Sequence, residues 1–408
     1  MHRQSTSLWV KVILALAVGL ACYLSTRQPV RADASLNMPA LAPPVPGNLM
    51  IYRVGDGSAA LSSNATAVFV DEYTTGGTLV QSIPMPTAVV GSQRRLTASG
   101  TATSEGLLTL SQNQQYVMLT GYDAAVGTAG IIASTASTIN RVVGRVDTSG
   151  NVDTSTALTD FASGSNPRSV ASTDGVDLWV TGGAGGVRYT TLGSATTTRL
   201  TAVAVLDNGR QLKIGGGQLY VTTGSGTAIR LGTVGTGLPT AAGQTVTNLP
   251  GFPTSGAPNS FYFADLDAGV TGFDTVYVAD EGGTVQKFSL AGGNWIANGS
   301  IALTGARGLT GIHTGGTVTL YVTSINSLVG IVDTSGYNAA PVATQNVLAT
   351  AAANTAFRGV AFAPGTLPTA VKVLSLSAHP DNSTAILPLI VLGTIGIAAV
   401  VIRRSRLS

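Results

Sequence analysis

Two groups of residues in this chain have types and spacings suited to chemistry. One is a carboxylate-rich turn, the other a recurring set of arginines. Asp265-x-Asp267-x-Gly269 followed by Asp274 has the oxygen density and tight turn that a calcium loop needs, because calcium takes hard oxygen ligands. The closing bidentate glutamate of a helix-loop-helix site is missing, and Asp with Gly also makes ordinary turns. The metal set the sequence suggests is therefore Asp265, Asp267 and Asp274, with Ca2+ as the only cofactor in view.

The arginines open short segments that turn apolar: Arg95-Leu96-Thr97, Arg168-Ser169-Val170, Arg199-Leu200-Thr201, Arg307-Gly308-Leu309 and Arg358-Gly359-Val360. If these segments are inner strands of a ring of sheets, Arg95, Arg168, Arg199, Arg307 and Arg358 gather at one end of a central channel. A basic ring there would attract an anion. The plainer reading is that each guanidinium caps the carbonyls or carboxylates of a neighbouring sheet, using its planar fork of donors.

Other catalytic sets are thin. Of the three histidines, His2 lies in the N-terminal segment, which leaves His313 and His379 beyond it. A Ser-His-Asp system would have to use His313, and no Gly-x-Ser-x-Gly elbow accompanies it. The glycine strings Gly182-Gly183-Ala184-Gly185-Gly186 and Gly215-Gly216-Gly217 lead into no helix carrying Lys-Ser/Thr, so they are turns rather than phosphate loops.

The elements that must position these residues repeat. An apolar-aromatic strand returns as Val68-Phe69-Val70, Tyr116-Val117-Met118, Leu178-Trp179-Val180-Thr181, Leu219-Tyr220-Val221-Thr222, Val276-Tyr277-Val278 and Leu320-Tyr321-Val322-Thr323, at intervals of roughly 40–60 residues. Each copy is apolar throughout, as expected for a strand covered on both faces. An Arg- or Ser-led segment precedes most copies, including Ser260-Phe261-Tyr262, and a third strand follows, as in Val187-Arg188-Tyr189 or Val329-Gly330-Ile331-Val332. Asp147-Thr148-Ser149-Gly150 and Asp333-Thr334-Ser335-Gly336 are near-identical turns after such third strands.

This order of inner, middle and outer strands predicts an all-β fold, a β-propeller, over residues 48–370. The last inner-type segment, at Arg358, has no aromatic strand after it, and the first aromatic strand, at Phe69, has no Arg-led segment before it. Placing both in one blade closes the ring and leaves no open edge. That count favours six blades, with seven as the alternative if residues 141–147 hide a weak blade.

Composition agrees with short strands and tight turns. The chain has 408 residues, of which 51 are glycine, with 44% hydrophobic and only 10% charged. The net charge of +3 is concentrated near the termini, so no basic stripe for nucleic acid is present. The single cysteine, Cys22, lies in the first apolar run, so the propeller region has no disulfide and no thiolate-bound zinc.

Residues 1–34 read as a secretory signal peptide, with a basic start, an apolar core and the small-x-small site Ala32-Asp33-Ala34. A Pro-rich spacer, 35–47, follows. After the propeller come a linker, 371–384, an uncharged run, 385–402, and a basic tail, 403–408. As a helix the uncharged run spans roughly 27 Å, enough for a transmembrane segment. The arginines after it place the C-terminus in the cytoplasm and the propeller outside.

The tail resembles the C-terminal sorting signals of bacterial exosortase-type systems, in which a Pro-Glu-Pro-Ser/Thr motif precedes an apolar helix and an Arg-rich end. Here the motif position holds Pro380-Asp381-Asn382-Ser383-Thr384, without the second proline and with Asp for Glu. The resemblance implies anchoring at the membrane, or at the cell surface after tail processing. The central region is similar to bacterial exported β-propellers in general. The function expected is an extracytoplasmic binding or structural module, attached to the membrane and facing a surface polymer or another surface protein. The alternative is a propeller hydrolase or lactonase dependent on a bound divalent cation.

Overall fold

The computed structural model describes residues 41–366. The expected signal peptide, linker, membrane helix and basic tail lie outside the described residues, as does the first part of the spacer.

The chain between these limits is all β. It begins with β1 (Leu49–Val54), β2 (Ala65–Tyr73), β3 (Leu79–Pro84), β4 (Thr97–Ser99), β5 (Thr109–Leu110), β6 (Tyr116–Tyr122), β7 (Arg141–Asp147) and β8 (Val152–Leu158). Three four-stranded groups follow: β9 (Pro167–Ser172) to β12 (Thr198–Arg199) through β10 (Asp177–Gly182) and β11 (Val187–Thr191); β13 (Leu212–Gly215) to β16 (Val246–Asn248) through β14 (Gln218–Thr222) and β15 (Leu231–Val234); and β17 (Pro258–Ala264) to β20 (Asn294–Ala302) through β18 (Thr275–Asp280) and β19 (Thr284–Ala291). A last group holds β21 (Leu309–Thr314), β22 (Thr317–Thr323), β23 (Ser327–Asp333) and β24 (Ala343–Thr350), and β25 (Ala356–Phe362) ends the fold.

The last four groups are separate four-stranded antiparallel sheets, the blades of a propeller. A nine-stranded sheet holds the rest. It contains the antiparallel runs β25-β1-β2-β3 and β5-β6-β7-β8, joined by β4 between β2 and β6. Pairing of β1 with β25, with Ile51 opposite Val360, brings the first and last strands into one sheet.

The outermost strands of the last two sheets are the most exposed. Every residue of β18 and β25 is buried, whereas β20 and β24 are mostly exposed. This gradient is what sheets packed face to face around an axis require.

The threonine that ends the recurring aromatic strand acts as a staple between neighbours. The Thr222 hydroxyl accepts the Gln211 amide of its own sheet at 3.0 Å and donates to the Asn259 carbonyl of the next at 2.8 Å. Thr323 repeats this, accepting from the Gly308 amide and donating to the Arg358 carbonyl. A buried hydroxyl satisfied in both roles loses nothing on leaving water.

Serines connect the inner strands in the same way, with Leu212 N–H donating to Ser169 Oγ at 3.1 Å and Leu309 N–H to Ser260 Oγ at 3.0 Å. Leu107 N–H bonds the Arg168 carbonyl, and the Thr109 hydroxyl bonds the Val170 carbonyl. At Gly359 the backbone lies so close to Gly106 and Leu108 that a Cβ would collide with both. Inner strands β5, β9, β13, β17, β21 and β25 therefore touch in cyclic order.

Three expectations change in detail. Phe69 belongs to the third strand of its run, because β1 with Tyr52 intervenes between β25 and β2. Residues 141–147 form β7, the third strand of the run that begins at β5, and carry no blade of their own. Part of the spacer is docked: the Glu72 carboxylate accepts the Val45 amide at 2.8 Å and the Asn48 side chain at 2.6 Å.

Candidate anion site at the rim of the inner strands

The inner strands share a register. Val170, Leu212, Phe261, Leu309 and Val360 pair with Val180, Val221, Val278, Val322 and Ile51 of their partner strands. Two residues earlier, at the same height, stand Arg168, Arg210, Asn259, Arg307 and Arg358. Four of these five equivalent positions are arginine. The structure thus brings together Arg168, Arg307 and Arg358 of the expected ring and adds Arg210.

It does not include Arg95 or Arg199. Arg95 precedes β4, the strand that bridges two runs, and pairs with Asp123 at 2.7 Å. Arg199 lies in β12, the outermost strand of its sheet, and pairs with Asp207 at 2.9 Å. The Arg-then-apolar string occurs at both places, but only pairing order decides which copy is inner. A signal for Arg210 was present: Arg210-Gln211-Leu212 lies nearer to Leu219-Tyr220-Val221 than Arg199 does, matching the other inner segments.

The rim arginines are buried or half-buried, and they are linked. Arg168 is 8% exposed and Arg358 2%. Arg168 Nη1 donates to the Asn208 side chain and to the Gly209 carbonyl at 3.0 Å. Arg210 grips Glu281 with both terminal nitrogens, at 2.6 and 3.0 Å, and also donates to Asn259 Oδ1. Arg307 shares the same Glu281 oxygen. Arg358 donates to the Phe357 and Gly100 carbonyls at 3.2 and 3.0 Å.

Through Glu281, Arg210 and Arg307 tie neighbouring sheets together, as the plainer reading of the arginines expects. The Nε–H is left over in each case. The buried Nε–H groups of Arg168, Arg210, Arg307 and Arg358 have no partner among the described residues. Two other buried arginines show that this is no general habit of the fold. Arg141 Nε donates to Ala162 O at 3.2 Å and Arg230 Nε to Gly256 O at 2.7 Å.

Charge is unbalanced in the same place. The rim carboxylates are Glu281, Glu105 and Asp280. Asp280 spends its oxygens on the amides of Ala257 and Gly282. Burial would raise Glu281, but the hydrogen bonds and charges of Arg210 and Arg307 prevail and hold it down at about 2.

Glu105 is the opposite case. It is 2% exposed, and burial pushes its carboxyl up despite hydrogen bonds from Asn166, Tyr122 and the Ser99 amide. Burial, and then the charge of Arg210, pull Arg168 down to about 10. Four guanidiniums therefore share this rim with three carboxylates, of which Glu281 alone is held by arginine and Glu105 is pushed up by burial. Burial also pulls Arg358 down, and the charge of Arg307 adds to that, so lowered guanidiniums and free N–H donors share this rim.

The carboxylates of the expected calcium set share one loop but serve different ends. Asp274 is fully buried, and its oxygens accept the Leu266 and Asp267 amides at 2.9 and 2.6 Å and the Thr275 hydroxyl at 2.8 Å. Asp267 accepts the Gly269 amide at 2.9 Å. Asp265 is exposed. Among the described residues no group of three or more His, Cys, Asp or Glu side chains is arranged to hold a metal ion. His313 Nδ1 lies 2.9 Å from the Tyr262 hydroxyl, which links β21 to β17.

Deeper between the inner strands, Lys213 lines a small cavity of about 170 Å3 with Thr109, Ala171, Tyr262 and Thr310. Its ammonium donates to the Phe261 and Leu309 carbonyls at 2.5 and 2.8 Å, bridging three sheets. Burial pulls it down to about 7 from an ordinary 10.5. The unfolded chain then binds the extra proton between those values, so this residue makes stability rise with pH from about 7 to 10.5. Melting temperatures across that range should rise less in Lys213→Met than in the parent.

No family model matches the chain, and no curated protein matches it. Among solved structures it is similar to a chain of the nidogen/laminin complex, at 14% identity over 78% of this chain and 98% of that one, with a TM-score of 0.45. It is also similar to a putative 6-phosphogluconolactonase from Bacteroides fragilis, at 15% identity over 74% of this chain and 82% of that one, with a TM-score of 0.40. A third is the WD40 domain of Toxoplasma gondii coronin, at 11% identity over 77% and 68% of the two chains, with a TM-score of 0.39. At these identities the likeness concerns the fold alone.

Proposed function

We propose that the chain is a six-bladed propeller, exported and held at the membrane or cell surface, that works as a binding module for an anionic group of a surface polymer or surface protein. The blade count comes from reading β25-β1-β2-β3 and β5-β6-β7-β8 as two further blades beside the four separate sheets. Export and anchoring rest on the character of residues 1–34 and 385–402. The anionic ligand rests on one observation: four arginines at the strand rim, two buried and two half-buried, whose buried Nε–H groups have no partner among the described residues.

A carboxylate or sulfate oxygen placed among these donors completes hydrogen bonds that the protein leaves open, and charge-assisted bonds are the stronger kind. Sulfate should raise the melting temperature of the parent above its value in chloride of equal ionic strength. Sulfate also stabilises proteins by exclusion from their surfaces, so the comparison is with Arg168→Gln and, separately, Arg307→Gln. Either variant should lose most of the excess rise. Equal rises in parent and variants would overturn the reading.

A further inference from the structure

A second cavity, of about 530 Å3, lies between the sheet of β13–β16 and that of β17–β20. Its size falls within the usual range for small-molecule sites. The walls are aromatic, from Tyr220, Phe263, Phe273 and Trp295, and the one ionisable carboxyl on its lining is Asp265. Phe263 is the hub: it stacks on Phe273 at 5.1 Å and 12° and stands 4.8 Å from Tyr220 and 5.7 Å from Trp295, centroid to centroid. Tyr220, Phe263 and Phe273 are only half-buried, so ring surface remains open. The floor at Gly215 admits no side chain, since a Cβ there would stand 2.9 Å from the Phe273 ring.

We propose that this cavity binds an organic cation, an ammonium group carrying an alkyl or flat body. Aromatic faces present negative charge and attract cations, most strongly where water is excluded. Asp265 adds a full charge of the same sign. Among the described residues no lysine or arginine pairs with Asp265, so its charge is not already neutralised by the protein. The two lysines on these strands are turned elsewhere, Lys213 onto the Phe261 and Leu309 carbonyls and Lys287 onto Asp333. The other two acids of the loop, Asp267 and Asp274, engage its amides and leave Asp265 as the carboxylate offered to the cavity. An anion is repelled here, whereas a neutral sugar finds few donors.

Calorimetric titration of the full chain with choline and with its neutral isostere, 3,3-dimethylbutan-1-ol, separates charge from shape. Choline should bind at least about tenfold tighter than the alcohol, the ratio that a cation–aromatic preference of about 1.4 kcal/mol gives. Asp265→Asn, an exposed substitution that leaves the core intact, should weaken choline several-fold and leave the alcohol unchanged. Phe273→Ala should weaken both. Equal affinities for choline and the alcohol, choline binding indifferent to Asp265→Asn, or no binding of choline would each overturn the proposal.

Discussion

Asp333→Ala is expected to destabilise the protein by about 3–5 kcal/mol, the cost of leaving a buried charge without its partner. Lys287 and Asp333 are both fully buried, with Nζ 3.2 Å from Oδ2. The same oxygen accepts the Tyr277 hydroxyl at 2.7 Å, and Oδ1 accepts the amides of Ser335 and Val342 at 3.0 and 2.9 Å. The Lys287 ammonium also reaches Ser335 Oγ and the Gly336 carbonyl and lies 5.7 Å from the Tyr277 ring centre.

Removing the carboxylate strands the ammonium and unties the turn after β23 at once. Lys287→Met together with Asp333→Asn removes both charges and should cost less than Asp333→Ala alone. Tyr277→Phe, which deletes one bond to a charged acceptor, should cost about 1.5–3 kcal/mol. Urea unfolding of the four proteins gives these differences. A double variant as unstable as Asp333→Ala would show that packing, and not the stranded charge, sets the cost.

The second large effect is at the rim. Glu281→Gln should destabilise by about 2–3 kcal/mol, because the carboxylate holds two guanidiniums through charge-assisted bonds. Its sign with pH follows from the depressed value of Glu281. The folded carboxyl titrates near 2 against an ordinary 4.5, so its contribution is complete above about pH 4.5 and is lost as pH falls toward 2. In Glu281→Gln that acid loss should be shallower. The variant also leaves Arg210 and Arg307 without their shared anion, so added sulfate should recover more stability in it than in the parent. Sulfate that stabilises Glu281→Gln no more than the parent would count against an anion site.

Much of this architecture is legible in the sequence, for a physical reason. The strand Leu-Tyr-Val-Thr recurs because each sheet must be apolar on both faces and must end in a hydroxyl that staples the next sheet, as Thr222 and Thr323 do. The turns at Asp147 and Asp333 recur because each aspartate caps amides just after it, Ser149 in one and Ser335 in the other.

What periodicity does not carry is which segment pairs with which. Arg199 and Arg210 both precede Tyr220, and only the second begins an inner strand. The aromatic strand also has two fates. Trp179 and Tyr277 are buried, as expected for every copy, but Phe69, Tyr116 and Tyr220 are only half-buried, Tyr220 on a cavity wall. Phe273 and Trp295, which arrive from a loop and from the outermost strand of the neighbouring sheet, complete that wall. Glu105 is equally inconspicuous in the sequence, because a glutamate before Gly106-Leu107 resembles any turn residue until folding buries it beside Tyr122 and Asn166.

Whether the rim arginines hold an anion is decided by anomalous diffraction from crystals grown with millimolar selenate. An anomalous peak is expected within hydrogen-bond distance of the Nε atoms of at least two among Arg168, Arg210, Arg307 and Arg358, absent from crystals of Arg168→Gln. Selenate found only elsewhere on the molecule, with water or nothing beside those four nitrogens, would contradict it.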